Sequence, residues 1–508
     1  MTAGIRRWAA AGAFAFVFAA ATAAAWAQAP ASSAPAPQDS VTDPVRQLRD
    51  LVYKQQDQIG KQQEQINQLT QTNSGSGTTT ITNDERQEIL KLIKEELKDQ
   101  KLPDWVSNLK ITGDFRFRTE WTEKANTEAN ELSKPPGAQS REETRQRIRA
   151  RLGFFDEVND EVTVGFQLIT GGGTKNYGGA DPISGNQTLG GDGYPGEEKL
   201  PVWFDLAYAD YHPKAVPGLD VYAGRIPNPF LEPGNSEMIW SSDLRLDGIA
   251  AKYKKQVAEG LTLFGNAGGF WVSEGVDAGG STGTAVPDAM LWAAQGYATL
   301  ALPQVAKGAY LTGGTSVYAY THMQNVVNPT GLPTGGAIAP GLPFPAGNGG
   351  NSTNANGTLY SGFDIVNPFI EVGVEDPWLH KRIAVFGDLA YNAAAREHMI
   401  GGVNVHDDNN AYAWLIGTSY GTLKKPGDWQ VAYNYRRVGA DAVVGMFDDA
   451  NAGGGGTDFY GSKLSAAYQI AKGWQAALSY YYDDISHADL YRESPSYQRF
   501  QLDFIFSF

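Results

Sequence analysis

Four arginines recur at every second position, Arg145, Arg147, Arg149 and Arg151, and two more, Arg116 and Arg118, stand two apart in an earlier segment. In an extended chain successive side chains alternate between two faces, so each set lies on one side of its strand. Guanidinium groups stacked in this way either steer anions or are neutralised by carboxylates and stiffen a wall. Both readings stay open, with Asp205, Asp243, Asp247, Asp388 and Asp503 as candidate acids of the opposing walls. No catalytic chemistry competes with this. Gly417-Thr418-Ser419-Tyr420-Gly421 matches G-x-S-x-G, but Tyr412, Trp414 and Ile416 precede it at a spacing of two, which puts Ser419 inside a strand. A hydrolase needs that serine on a sharp turn from strand to helix. The six histidines, at 212, 322, 380, 398, 406 and 487, have no paired spacing, and His406-Asp407-Asp408 reads as a solvated loop. No enzyme activity, metal site or cofactor is expected.

The elements that carry these arginines are strands. From residue 107 to the end the pattern keeps a period near two, with turn residues between segments. Ile111, Gly113, Phe115 and Phe117 alternate with Lys110, Thr112, Asp114, Arg116 and Arg118, and Ile148, Ala150 and Leu152 alternate with the four later arginines. Similar segments recur to make about sixteen strands. The connections after odd strands are long and rich in Gly, Asn and Pro, as at 122–140, 171–200, 273–288, 322–363 and 439–458. Those after even strands are short, as at 156–160, 213–218, 303–308, 376–381, 424–427 and 471–473. Long and short connections alternating over an even number of strands are the layout of a transmembrane β-barrel, with loops outside and turns in the periplasm. A soluble sandwich has no reason to show it.

The expected fold is therefore all-β, a transmembrane antiparallel barrel over 107–508. An Arg on the lipid face near mid-bilayer costs roughly 2–4 kcal/mol, so four on one strand must face the lumen. Of the long connections, 322–363 is the first candidate to fold inward and narrow the lumen, with 171–200 as its competitor. Composition agrees with many strands, turns and aromatic girdles: 59 Gly, 24 Tyr, 22 Phe and 12 Trp. A mean hydropathy of −0.35 is compatible with a membrane protein of this kind, because each strand is apolar on one face only. The absence of cysteine excludes disulfides, thiolate metal sites and a cysteine nucleophile. The net charge of −15 argues against a nucleic-acid partner.

The N-terminal part is organised differently. Arg6 and Arg7 precede an apolar Ala/Phe run ending in Ala25-Trp26-Ala27, the pattern of a signal peptide over 1–27 cleaved between Ala27 and Gln28. Residues 28–44 have linker composition. Val45, Leu48, Val52, Ile59, Ile66 and Leu69 follow a heptad whose remaining core slots hold Gln55 and Gln62, which predicts a short α-helical coiled coil over 45–72. Thr82-Asn83-Asp84-Glu85 is a capping-box pattern opening an amphipathic helix over 82–102.

At the other end Phe500, Leu502, Phe504, Phe506 and Phe508 share one face, against Arg499, Gln501, Asp503 and Ser507. This ending resembles the signal that the barrel-assembly machinery reads. Together with Gly113-Asp114-Phe115-Arg116-Phe117-Arg118, the Arg-x-Arg-x-Arg-Leu-Gly stretch ending at Gly153, Ala223-Gly224-Arg225 and Trp240 to Gly248, it makes nearly the whole mature chain resemble the Gram-negative outer-membrane porins. Within them the resemblance is to a family with a coiled coil before the barrel, distantly similar to the phosphate-selective porins. It implies a homotrimer of water-filled barrels passing small hydrophilic solutes or ions through the outer-membrane lipid, with the helices in the periplasm. Phosphate specificity does not carry over, since no lysine- or arginine-lined constriction is assignable. The alternative is a structural anchor that tethers the membrane to the cell wall through helical contact with peptidoglycan.

Overall fold

The computed structural model describes residues 108–124, 141–171, 184–190, 201–274, 287–325, 350–354, 358–400, 402–404, 409–486 and 496–508. The expected signal peptide with its Ala27–Gln28 cleavage site, the linker, the coiled coil and the amphipathic helix lie outside the described residues.

Sixteen long strands form the sheet: β1 Lys110–Lys124, β2 Arg141–Asn159, β3 Val162–Thr170, β4 Val202–Tyr211, β5 Leu219–Pro227, β6 Arg245–Ala258, β7 Leu261–Ser273 and β8 Ala289–Ala301. The second half comprises β9 Tyr310–Thr321, β10 Asp364–Glu375, β11 Arg382–Asn392, β12 Tyr412–Gly421, β13 Trp429–Val438, β14 Phe459–Ala471, β15 Trp474–Ile485 and β16 Ser496–Ser507. Each strand pairs antiparallel with its sequence neighbours, and β16 pairs antiparallel with β1, from Asp114 opposite Ser507 to Lys124 opposite Tyr497. The sheet is a closed barrel. Phe508 extends the seam, exchanging backbone hydrogen bonds of 3.0 and 3.1 Å with Gly113.

Closure follows from the solvent. In hydrocarbon an unpaired backbone N–H or C=O has no water to turn to, so a sheet can cross a bilayer only when it has no edge. The short connections fit this geometry. Between β14 and β15 only Lys472 and Gly473 intervene, and Gly473 takes φ +70° where a Cβ would stand 2.2 Å from the Ser507 carbonyl oxygen. Its own carbonyl accepts the Ser507 N–H at 2.7 Å, so this turn is pressed against the final strand.

Alternation sorts the two faces. Ile111, Phe115, Phe166, Ile370, Val385, Leu389, Ile416 and Leu464 stay exposed on the outside, while their strand neighbours Arg116, Arg118, Phe369, Ala384, Phe386 and Leu415 are buried inside. The long odd-strand connections include 228–244, which sequence reading did not single out, and the even connections are all short.

A buried, bidentate ion pair crosses the seam. Arg118 and Asp503 stand directly opposite on β1 and β16, with Nε to Oδ1 at 2.6 Å and Nη2 to Oδ2 at 2.7 Å. Removing one partner of such a pair leaves a buried charge and costs about 3–5 kcal/mol, whereas replacing both by apolar residues is close to neutral. Arg118→Ala is expected to lower sharply the temperature at which the folded band is lost on unheated-sample gels, and Arg118→Met with Asp503→Leu to restore most of it. Equal melting of all three proteins would remove the pair from the account of closure.

Candidate functional site

The densest charge in the barrel lies on the inner face of β16, β1 and β2. Arg116, Arg118, Arg145, Arg147, Arg149, Arg151 and Arg499 project to that side, and Arg116, Arg118, Arg147, Arg149 and Arg499 are buried. Glu120, with no exposed surface, sits at the centre of one group: Arg145 binds it, Arg147 and Arg499 each stand 4.0 Å away, and Gln501 donates to its Oε2 at 2.7 Å. Asp114 takes Arg151 at 2.6 Å and Arg149 at 3.3 Å. Asp243 takes Arg149 at 2.9 Å and Arg151 at 3.7 Å, and Glu143 stands 3.9 Å from Arg145. Six of these seven guanidiniums thus meet five carboxylates, Asp114, Glu120, Glu143, Asp243 and Asp503, which leaves this group of side chains net basic. Arg116 is set apart: its Nη2 donates to Asn186 Oδ1 and it has no carboxylate partner among the described residues.

Two long connections described nearly throughout run inside the barrel. The first, 228–244, carries Phe230, Met238, Ile239, Trp240 and Leu244, all buried against wall residues Phe270, Leu291 and Tyr318. Trp240 and Phe230 meet Tyr318 edge-on at ring-centroid distances of 5.1 and 5.4 Å. Polar anchors reach many strands: the Leu231 N–H donates to Gln295 on β8, the Gly234 N–H to Glu371 on β10, and Ser236 Oγ to Asp388 on β11. Glu237 binds Lys463 on β14 at 2.8 Å, and Asp243 reaches Arg149 on β2. A segment held at β2, at β8–β11 and at β14 spans the interior. The second connection, 439–458, packs on the first: Phe447 stacks on Trp240 at 6.2 Å and its carbonyl accepts the Ser241 N–H at 2.6 Å. Its Asp449 takes Arg436 at 3.2 Å and Lys463 at 3.4 Å.

Among the described residues 228–244 crosses the interior, and parts of the two connections expected to fold inward also lie inside, with Met323, Leu359 and Phe363 of 322–363 in the same buried cluster as Trp240. Of 322–363, the described stretches at 350–354 and 358–363 pack on 439–458, where Asn351 Nδ2 donates to the carbonyls of Ala440 and Val443. Of 171–200, the described stretch at 184–190 lies over Arg116 and Arg147 and adds a two-residue strand, Gln187–Thr188, to β2. The missed signal in 228–244 is its apolar residues with no strand period, in a connection that follows Pro227 and is broken again by Pro229 and Pro233. The acids also divide differently from expectation. Asp243, Asp388 and Asp503 are inside, but Asp247 is on the outer face, paired with Arg225 at 2.8 Å, and Asp205 pairs with Arg245 at 3.2 Å. On β5 and β6 it is Ile226, Leu246 and Ala250 that turn inward, under the apolar side of 228–244. Asp114 and Arg499 stand on the polar faces that the alternation assigns them, whereas Glu120 has no counterpart in the sequence pattern beyond sharing one parity with Asp114, Arg116 and Arg118.

Phe500, Leu502, Phe504 and Phe506 take the outer face of β16, and the Phe508 ring is exposed. Ser419 lies inside β12 and points inward, away from any turn to a helix.

A closed sixteen-strand antiparallel barrel with a charged inner face and an infolded connection defines a porin-type channel of the outer membrane. The chain belongs to the family described as "Putative porin", whose model matches residues 17–338 and 358–504. Solved structures that this chain matches include OmpF of Salmonella typhi in complex with daunomycin, at 12% identity and a TM-score of 0.41, covering 79% of this chain and 97% of that one. OprB of Pseudomonas putida at high pH matches at 13% identity and a TM-score of 0.41 over 82% and 96% of the two chains. A loop-deletion mutant of OmpT from Vibrio cholerae matches at 13% and 0.37 over 79% and 100%. A search of curated proteins finds no match. Family and fold point to a non-enzymatic channel.

The packing of Trp240 gives a direct test. Truncating a buried Trp costs about 3–5 kcal/mol, most of it here falling on 228–244 rather than on the closed sheet. Trp240→Ala is expected to make the folded protein cleavable by a Glu-specific protease at Glu232 or Glu237 while the barrel band survives. Cleavage as slow as in the parent would show that the polar anchors alone hold the segment.

Proposed function

We propose that the protein is a passive diffusion channel for small hydrophilic solutes or ions whose lumen favours anions through the basic wall of β16, β1 and β2. The observation that carries this is the excess of guanidiniums over carboxylates among Arg116, Arg118, Arg145, Arg147, Arg149, Arg151 and Arg499. Charge in a narrow, low-dielectric passage acts on a permeant more strongly than charge in open water. Glu371 of β10 and Asp388 of β11 belong to strands on the far side of the ring from the arginines and bind the infolded connection, so a permeating ion would cross a transverse field. In this reading the barrels associate as a homotrimer in outer-membrane lipid. The N-terminal helices stand in the periplasm after removal of the signal peptide, and the terminal aromatic strand is what the barrel-assembly machinery recognises.

The second reading, an anchor that tethers the membrane to peptidoglycan through the coiled coil, draws support from the two connections packed inside the barrel. The two readings part on conductance. Purified protein in a planar bilayer under a salt gradient is expected to give ohmic steps, often in threes, with a reversal potential of anion-preferring sign. Converting Arg145, Arg147, Arg149 and Arg151 together to Gln is expected to move that potential toward cation preference. A folded, inserted barrel without conductance would sink the channel reading and leave the tether.

A further inference from the structure

We propose that Asp448 is a protonation-controlled latch that holds the 439–458 connection inside the barrel, so that deprotonation releases the connection and widens the passage. The inference rests on the channel reading, and goes beyond it by assigning a gate.

Asp448 is 3% exposed, and its Oδ1 has no hydrogen-bond partner among the described residues. Every other acid around it is engaged. On its own connection Asp449 binds Arg436 of β13 at 3.2 Å and Lys463 of β14 at 3.4 Å, and accepts the Asn451 N–H at 2.9 Å. From 228–244, Glu237 takes Lys463 at 2.8 Å and Glu232 accepts the N–H groups of Ile239 and Trp240 at 3.0 and 3.1 Å. Asp388 of β11 takes Ser236, and Asp483 of β15 accepts the Gly453 N–H at 2.8 Å. Tyr481 of β15 stands under the Lys463 ammonium. Of the two cations of this contact, Lys463 is taken by Glu237 and Asp449, while Arg436 binds Asp449 and acts on Asp448 through its charge without a hydrogen bond to it.

An isolated buried carboxylate costs far more than a buried carboxylic acid, so the group stays neutral while it is buried. Burial first, and then the negative charges of Asp449, Glu232 and Glu237, outweigh the opposing charge of Arg436 and hold the Asp448 carboxyl well above the usual carboxylate range. The docked connection thus keeps a proton that the undocked one loses near the ordinary value. Docking is at full strength below that ordinary value. It weakens by a factor of about ten per pH unit for this one proton as the pH rises from the ordinary toward the raised value. The only escape for the ionised group is water, and reaching water means moving 439–458 out of its seat.

Single-channel conductance of the full-length protein between pH 5 and 9 is expected to rise with pH, and Asp448→Asn, which keeps the shape and removes the charge, to stay at the low-pH level throughout. The absence of cysteine allows a second readout. Val443→Cys, buried in the same connection, is expected to gain maleimide labelling as pH rises, once normalised to Trp378→Cys on an exposed turn. Asp448→Asn in the same protein is expected to keep that ratio low. Identical pH profiles with Asp and Asn, or normalised labelling of Val443→Cys that is flat with pH, would overturn the latch. Labelling that shifts with pH in a barrel that never conducts would keep the latch and reject the channel.

Discussion

A sheet in hydrocarbon cannot leave its backbone polar groups unpaired, and most of what this barrel does follows from that demand. Each strand must find two partners, so β1 pairs with both β2 and β16, and the alternation of side chains becomes an assignment to lipid or lumen around the whole ring. The lipid side has no use for charge at mid-depth, so the arginines of β1, β2 and β16 are turned inward together. Once gathered there, they must be compensated, and the acids that do so come from three sources: their own strands, the facing strand, and the connection 228–244 through Asp243. Charge compensation and the folding of a loop into the barrel are therefore one problem with one solution.

The interior is divided into two kinds of surface. Along β16, β1 and β2 it is polar and basic, while along β5 to β9 it is apolar, because the aromatic side of 228–244 packs there against Ile226, Leu246, Phe270, Leu291 and Tyr318. This division explains the odd pair Arg225 and Asp247. Where an infolded segment supplies an apolar neighbour inside, the inward positions take apolar residues and polar ones are displaced outward, toward the end of the strands. The expected alternation is thus inverted locally, and Asp247 belongs to the outer face.

Much of the fold was legible in the amino-acid pattern, for a simple reason. Period two, turn residues and the alternation of long and short connections are local properties, and Ile148 to Leu152 or Phe500 to Phe506 display them without help from the rest of the chain. The arginine parity was legible on the same ground. What was not legible is pairing across distance: Glu120 meets arginines of two other strands, and nothing in its own neighbourhood announces that. Length and glycine content drew attention to 322–363 but not to 228–244, whose inward packing is decided by apolar residues such as Met238 and Trp240, which a count of turn formers passes over. The N-terminal helices stand outside what the described residues test.

The contact between Arg118 and Asp503 joins residues 385 positions apart. A ring closed by its two ends has no stable half-product: until the last strand arrives, fifteen strands leave two open edges that invite pairing with any other chain. Ordering must wait for the slowest and longest-range encounter, so such a protein folds late and slowly by its topology alone. A mistake in the final dozen residues would leave a sticky, unfinished sheet for proteases and chaperones to clear, a cost imposed on quality control rather than on permeation.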